Sequence, residues 1–188
     1  MNFDFSDDQK SLKDQARKFL SEKAGAKVTR GVLDNDAKSY DETLWKGVAE
    51  LGWLGAAIPE EHGGLGLGRL ELCVLAEELG RAVAPIPFSS TVYFFAEAVM
   101  LAGSDAQKAA LLPKLAAGEL IGCFAVSEGP GAPTPASIQT KFDNGALNGV
   151  KIPVTDGDCA SHAVVVAKDG AGVSLVLVDL NQSGVTRT

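Results

Sequence analysis

Histidine and cysteine are scarce in this sequence, 2 and 3 of 188 residues. The cysteines, Cys73, Cys123 and Cys159, are odd in number and far apart, which excludes a disulfide framework and a CxxC metal site. Each has an apolar or small neighbour, so three buried, reduced thiols are predicted. His62 and His162 complete no zinc spacing with them, and no metal is expected. Basic charge is also short, with 17 Lys and Arg against 24 Asp and Glu and a formal charge of -7. Without a basic face nothing neutralises a phosphate backbone, so no nucleic-acid partner is expected. No stretch reaches the ~20 unbroken apolar residues of a membrane span, and Met1-Asn2-Phe3-Asp4-Phe5 lacks the basic-then-apolar order of a secretory signal. The expectation is a cytoplasmic protein with no membrane association. What remains is an ordinary globular composition, 46% hydrophobic and 22% charged, without repeats or low-complexity segments.

The apolar spacing changes once along the chain. From Ser6 to about Ala117 it is helical, and from Gly122 onward it alternates in short runs broken by turn residues. Ser6-Asp7-Asp8-Gln9 is a capping box that opens a first helix with Leu12, Ala16, Phe19 and Leu20 on one face. A second helix is predicted from Asp41 to Leu51 with Gly52 as its stop, followed by a buried connection from Trp53 to Pro59. Glu60 to Gly68 contains four glycines and reads as a loop. It fails as a phosphate-binding loop, because no strand precedes it and no Lys-Ser/Thr follows. Glu60 and Glu61 are adjacent and read as a solvated turn rather than an acid/base pair.

A third helix runs from Arg69 to Val83, before Pro85 and Pro87. A fourth, from Thr91 to about Leu101, is apolar nearly all round, which predicts an interior or partner-facing position. Ser104-Asp105-Ala106-Gln107 opens another helix, which Pro113 should interrupt or restart before Gly118. The predicted strands are Cys123–Ser127, Ile138–Phe142, Ala146–Val154, Ala163–Ala167 and Val173–Leu180, with Asp143-Asn144-Gly145 as a hairpin signal. Loops this short imply antiparallel pairing.

Five local strings stand out: Leu51-Gly52-Trp53-Leu54-Gly55, Pro59-Glu60-Glu61-His62-Gly63-Gly64-Leu65-Gly66, Glu77-Glu78-Leu79-Gly80-Arg81, Gly118 to Glu128, and Leu147 to Gly157. Together they resemble the acyl-CoA dehydrogenase family. They follow the family's order and cover essentially the whole chain. The resemblance implies an α+β protein: an all-α domain over residues 1–119, then an incomplete antiparallel β-barrel domain over 120–188. The family's C-terminal four-helix bundle, which normally supplies the carboxylate base, is absent from this sequence. The implied reaction oxidises an acyl-CoA thioester to the 2,3-enoyl-CoA with FAD, and an electron-transfer flavoprotein takes the electrons. Homo- or hetero-oligomers are implied.

By the same resemblance, Ser127 stands at the family threonine facing the flavin pyrimidine edge, and Thr155 at the threonine on the N5 side. Phe124, Ala125, Val126 and Val154 would line the ring, while Glu128 serves the strand end. No catalytic residue is carried over. Each hydroxyl also has a plain alternative, a turn serine or a β-branched strand end. Two departures stand out. The family's Pro-x-Ala-Gly-Ser-Asp is here Gly129-Pro130-Gly131-Ala132-Pro133-Thr134-Pro135, so Pro133 takes the place of a serine near the FAD pyrophosphate and the CoA chain. A one-residue slip puts Thr134 there instead. Pro153 stands where an aromatic residue usually flanks the flavin. These departures leave a second reading open, a flavin-poor accessory subunit of a heteromeric dehydrogenase.

Overall fold

The computed structural model describes residues 4–188; the first three residues of the segment read above for a secretory signal lie outside them. Two compact units form, one from residues 4–87 with Ala109–Glu119, the other from Phe88–Lys108 with Leu120–Thr188. Phe88–Lys108, grouped by sequence with the helical domain 1–119, thus groups in space with the strands.

In the first unit α1 (Asp7–Lys23) carries the expected cap: the Gln9 amide donates to Ser6 Oγ at 3.2 Å, and the Ser6 amide to Gln9 Oε1 at 3.0 Å. α1 packs on α4 (Arg69–Ala82), and residues four apart on α1 reach acids on α4. Gln9 bonds Glu71, Lys13 pairs with Glu77 at 2.8 Å, and Arg17 grips Glu78 at 3.1 and 2.7 Å. The Glu78 side chain is 1% exposed. Arg17, with help from Arg81, holds its carboxyl below the usual range despite the burial that opposes it.

A short helix that sequence reading did not predict, α2 (Ala26–Leu33), hangs on the end of α4 through Thr29 Oγ1, which donates to Val83 O. α3 (Glu42–Glu50) is capped by Asp41 and buries Leu44, Trp45 and Val48, and Gly52 stops it at φ 75°. Leu51, the predicted end of this helix, is exposed. The Trp45 indole donates to Gly118 O at 2.9 Å.

The glycine-rich loop folds back on the buried connection: Leu65, Gly66 and Leu67 donate their amides to Gly55, Ile58 and Ala56. This close approach explains Gly64, where a Cβ would lie 2.0 Å from the Ile58 carbonyl oxygen.

In the second unit Ser89–Ala96 forms a wide, π-type helical stretch that continues into α5 (Glu97–Ala102). The apolar face all round is only partly buried, since Phe94 and Leu101 are exposed. α6 (Asp105–Ala116) contributes to both units, and it runs through Pro113 without a break, contrary to the interruption expected there.

The β part is one five-stranded sheet: β1 (Gly122–Ala125), β2 (Lys141–Asp143), β3 (Ala146–Asn148), β4 (His162–Lys168) and β5 (Val173–Asp179). The two hairpins are antiparallel as expected. Asn144 and Gly145 turn β2 into β3 with φ of 49° and 78°, the positive angles a two-residue hairpin favours. β4 and β5 pair from His162↔Asp179 to Lys168↔Val173.

Antiparallel pairing does not extend to β1, which lies parallel to β4 in the register Gly122↔His162 to Ala125↔Val165; β2 also meets β4 in parallel, at Lys141↔Lys168. The hairpin argument covered only neighbours in sequence, whereas the long segment between β1 and β4 leaves room for a crossover. Cys123 and Cys159 are buried and half-buried, with burial raising their thiol pKa values to about 11 and about 12; Cys73, expected inside, is exposed. No helix of the described residues is long and apolar enough to cross a membrane.

Two glycine substitutions should separate steric need from propensity. A Cβ at Gly80, inside α4, meets nothing within 4 Å, so Gly80→Ala is expected to stabilise by about 0.5–1 kcal/mol. Gly64→Ala must displace backbone and is expected to cost about 1–3 kcal/mol. Urea denaturation of both variants checks the sign of each change.

Candidate functional site

The β1–β4 ladder ends at Ala125. Beyond it the chain is held by other means. Glu128 and Ile152 form an isolated parallel bridge in which the Ile152 amide donates to Ser127 O at 2.8 Å and the Gly129 amide to Ile152 O at 2.9 Å. Two of the predicted site segments, Phe124–Ser127 and Pro153–Thr155, are therefore brought together. The Ile152–Pro153 peptide is cis.

Beneath the bridge lies a carboxylate cluster. Glu128 Oε1 accepts from Lys151 Nζ at 2.6 Å, Thr140 Oγ1 at 2.6 Å and the Thr140 amide at 3.0 Å, while Oε2 accepts from the Gln139 amide at 2.6 Å. Lys151 also donates to Val126 O. The two charged side chains are only 7% and 11% exposed, for Lys151 and Glu128 respectively. Burial pushes the Glu128 carboxyl up, but Lys151, the Thr140 hydroxyl and the two amides outweigh it and hold it at about 2. Glu128 is thus a structural carboxylate, as its place at the strand end suggested.

Lys151 was missed as its partner. The available signal was the apolar-charged-apolar order Val150-Lys151-Ile152 read with the pleat: here the apolar pair is exposed, at 74% and 59%, and the lysine is inside. Gly149 lets this segment pass, because a Cβ there would lie 2.4 Å from Thr140 Oγ1.

The turn that carries Thr155 closes through the Gly157 amide, which donates to Val154 O, and leaves Thr155 and Asp156 as its central residues, the latter at φ 57°. Asp156 accepts from Ser90 Oγ at 2.5 Å. Among the described residues, the hydroxyls of Ser127 and Thr155 have no hydrogen-bond partner, in contrast to the polar groups around them. Ser127 is half-buried and Thr155 exposed, beside the exposed apolar Val150, Ile152 and Pro153. Two free hydroxyls next to an apolar strip suit a flat ligand with a polar edge.

The other predicted residues fall as follows. Phe124 and Ala125 lie in β1 opposite Val164 and Val165, Phe124 half-buried and Ala125 only 4% exposed, so Ala125 offers little beyond backbone. Pro133 and Thr134 sit in an exposed loop. The Thr134 hydroxyl accepts from the Ser137 amide and its own amide donates to Ser137 Oγ, a local box that already occupies it. Two cavities, of about 420 Å3 beside Arg30 and Arg81 and about 40 Å3 beside Val99 and Leu177, are lined by none of these residues.

Residues 6–119 match the profile of the acyl-CoA dehydrogenase N-terminal domain. The chain belongs to the acyl-CoA dehydrogenase family. It is 34% identical over 169 residues to the mitochondrial isovaleryl-CoA dehydrogenase of Pongo abelii, covering 87% of this chain and 40% of that enzyme. Among solved structures it superposes on a variant of the Tcur3481-Tcur3483 steroid ACAD with a TM-score of 0.83 at 34% identity, over 94% of this chain and 49% of that one. A Mycobacterium smegmatis glutaryl-CoA dehydrogenase solved with FADH2 gives 0.78 at 25% identity, over 96% and 47%. The chain thus spans less than half the length of the relatives named here. The expected order of a helical domain followed by a partial β domain is that of the family.

The Glu128 cluster makes stability pH-dependent with a definite sign. A carboxyl held at about 2, below its ordinary 4.5, contributes stability that is fully present above 4.5 and is lost as pH falls through about 2. Glu128→Gln should abolish that group's share of the acid sensitivity, read as a flatter plot of urea midpoint against pH below 4.5.

Proposed function

We propose that this chain is the flavin-binding half of an FAD-dependent acyl-CoA dehydrogenase, which oxidises an acyl-CoA thioester to the 2,3-enoyl-CoA. The observation that carries the reading is the pair of hydroxyls, Ser127 beyond the end of β1 and Thr155 in the turn after Ile152, which have no partner among the described residues and sit on segments tied together by the Glu128–Ile152 bridge. FAD fits this donor set: Ser127 would hold its pyrimidine edge, Thr155 its N5 side, and Phe124, Val126 and Val154 would face the ring. When bound, FAD supplies the hydride acceptor. The protein residues orient the ring and keep water from it.

The α-proton needs a carboxylate base, and Glu128, held at about 2 by its donors, is unsuited to that role. The reading places the base outside these 188 residues. An electron-transfer flavoprotein as electron acceptor, an oligomeric assembly and a cytoplasmic location complete the reading.

A second reading is favoured by Pro133 and Pro153, which remove a hydroxyl from the phosphate loop and an aromatic from the ring face. In it the chain is a flavin-poor accessory subunit, and the two-component naming of the steroid ACAD offers a parallel. Flavin stoichiometry separates the two. The purified chain, mixed with FAD and desalted, should retain near-equimolar flavin absorbance, and Ser127→Ala or Thr155→Val should weaken binding roughly tenfold each. Retention of no flavin by this chain, and by any longer form that contains it, would establish the accessory reading instead. Turnover by the chain alone should be negligible, since loss of the general base removes about 100- to 10,000-fold of rate; measurable dehydrogenation would place the base inside it.

A further inference from the structure

The π-type stretch Ser89–Ala96 touches the first residue of β1, the strand that leads to Ser127, and the turn that carries Thr155. Thr91, 1% exposed, donates through Oγ1 to Gly122 O at 3.2 Å and accepts there from the Gly122 amide at 3.3 Å, so one side chain holds both backbone groups of the first residue of β1. Phe95, fully buried, closes the same contact: a Cβ on Gly122 would lie 2.2 Å from its ring. The preceding residue, Ser90, 2% exposed, holds the Asp156 carboxylate, whose neighbour in the turn is Thr155. Two consecutive side chains of one wide turn therefore fix the start of the strand leading to Ser127 and the turn presenting Thr155. π-type turns recur at functional sites because they displace side chains from ordinary helical positions. Neither hydroxyl of this pair faces solvent, so neither is available to a ligand directly.

We infer that Ser90 and Thr91 are positioning residues, which set the separation of the Ser127 and Thr155 hydroxyls and so the fit of the flavin edge. The inference rests on the flavin reading above. Its reach is to residues outside the strands, on the π-type stretch.

The test is FAD binding by the full 188-residue chain, with Ser90→Ala, Thr91→Val and Thr91→Ser, at a temperature where far-ultraviolet circular dichroism shows every compared variant folded. The dissociation constant is read from quenching of flavin fluorescence, and ring placement from the visible circular dichroism of the bound flavin. Ser90→Ala and Thr91→Val should each raise the dissociation constant about tenfold, the weight of one hydrogen bond, and alter the visible band. Thr91→Ser keeps the oxygen and should restore both. A role in stability alone would lower the melting temperature and leave the band of the folded, loaded chain unchanged. Unchanged affinity and band in Ser90→Ala overturn the inference even where Thr91→Val does not fold, while the flavin reading stands. Failure of the unsubstituted chain to take up FAD overturns both.

Discussion

One buried carboxylate, that of Glu128, is the point on which the open end of the sheet depends. A charge taken out of water is tolerated only with its lone pairs filled, and Glu128 fills them from two separate segments: the Gln139 and Thr140 amides with the Thr140 hydroxyl on one, and the Lys151 ammonium on the other. Those donors lie on the approach to β2 and on the segment after β3. The hairpin Lys141–Asn148 is therefore moored at both of its ends to the residue that follows Ser127. Such a cluster gives little net stability compared with a hydrophobic plug, but a misplaced segment would strand a charge. Its effect is on register: only one arrangement of the segments satisfies all four donors.

The same logic shows what was legible in the sequence. Features decided within four residues were readable: the boxes at Ser6 and Ser104, the Asp143-Asn144-Gly145 turn and the stop at Gly52. Features decided by distant partners were not. The parallel β1–β4 pairing joins residues 40 apart, with no local mark of direction in either strand. α2 was invisible because Gly25 caps it without a side chain, Gly31 lies inside it, and its hold on α4 comes from one threonine. The π-type stretch was read as an ordinary apolar helix, since hydrogen-bond register leaves composition unchanged. At the candidate site, the family strings pointed to Ser127 and Thr155, but Lys151, Thr140, Ser90 and Asp156 came only from the fold.

Proline has two different consequences in this chain. Pro113 sits inside α6 without ending it, so a missing amide there is tolerated. The run Gly129–Pro135 is another matter. It contains three prolines, its glycines at 129 and 131 take φ of 129° and 99°, and from Pro130 onward it is exposed. A loop that cradles phosphate works through convergent amides, and each proline removes one. The Thr134–Ser137 box absorbs further donors and acceptors into a local turn. On the proposed flavin reading, the pyrophosphate end of the dinucleotide would find fewer groups here than the ring end would find at Ser127 and Thr155. Any shortfall in cofactor affinity should therefore originate in the loop.

The ladder between β1 and β4 stops at Ala125, and the candidate hydroxyl of Ser127 lies beyond its end. A regular ladder would fill the backbone groups of the following residues and pleat their side chains to alternate faces. Ending it frees the geometry, but the chain must then be held otherwise, and side chains take over. Lys151 caps the Val126 carbonyl, Glu128 gathers the neighbouring segments, Ser90 holds the Asp156 turn, and Arg187 donates to the carbonyls of Asp158, Ala160 and Leu180 behind it. Each of these bonds lies outside the strand ladder and spends a polar side chain on another segment's order. The two hydroxyls left over, Ser127 and Thr155, are the ones that this scaffolding surrounds without using. Their availability is a product of the satisfaction of everything around them, and so the fit of a ligand bound by them would depend on residues that never touch it.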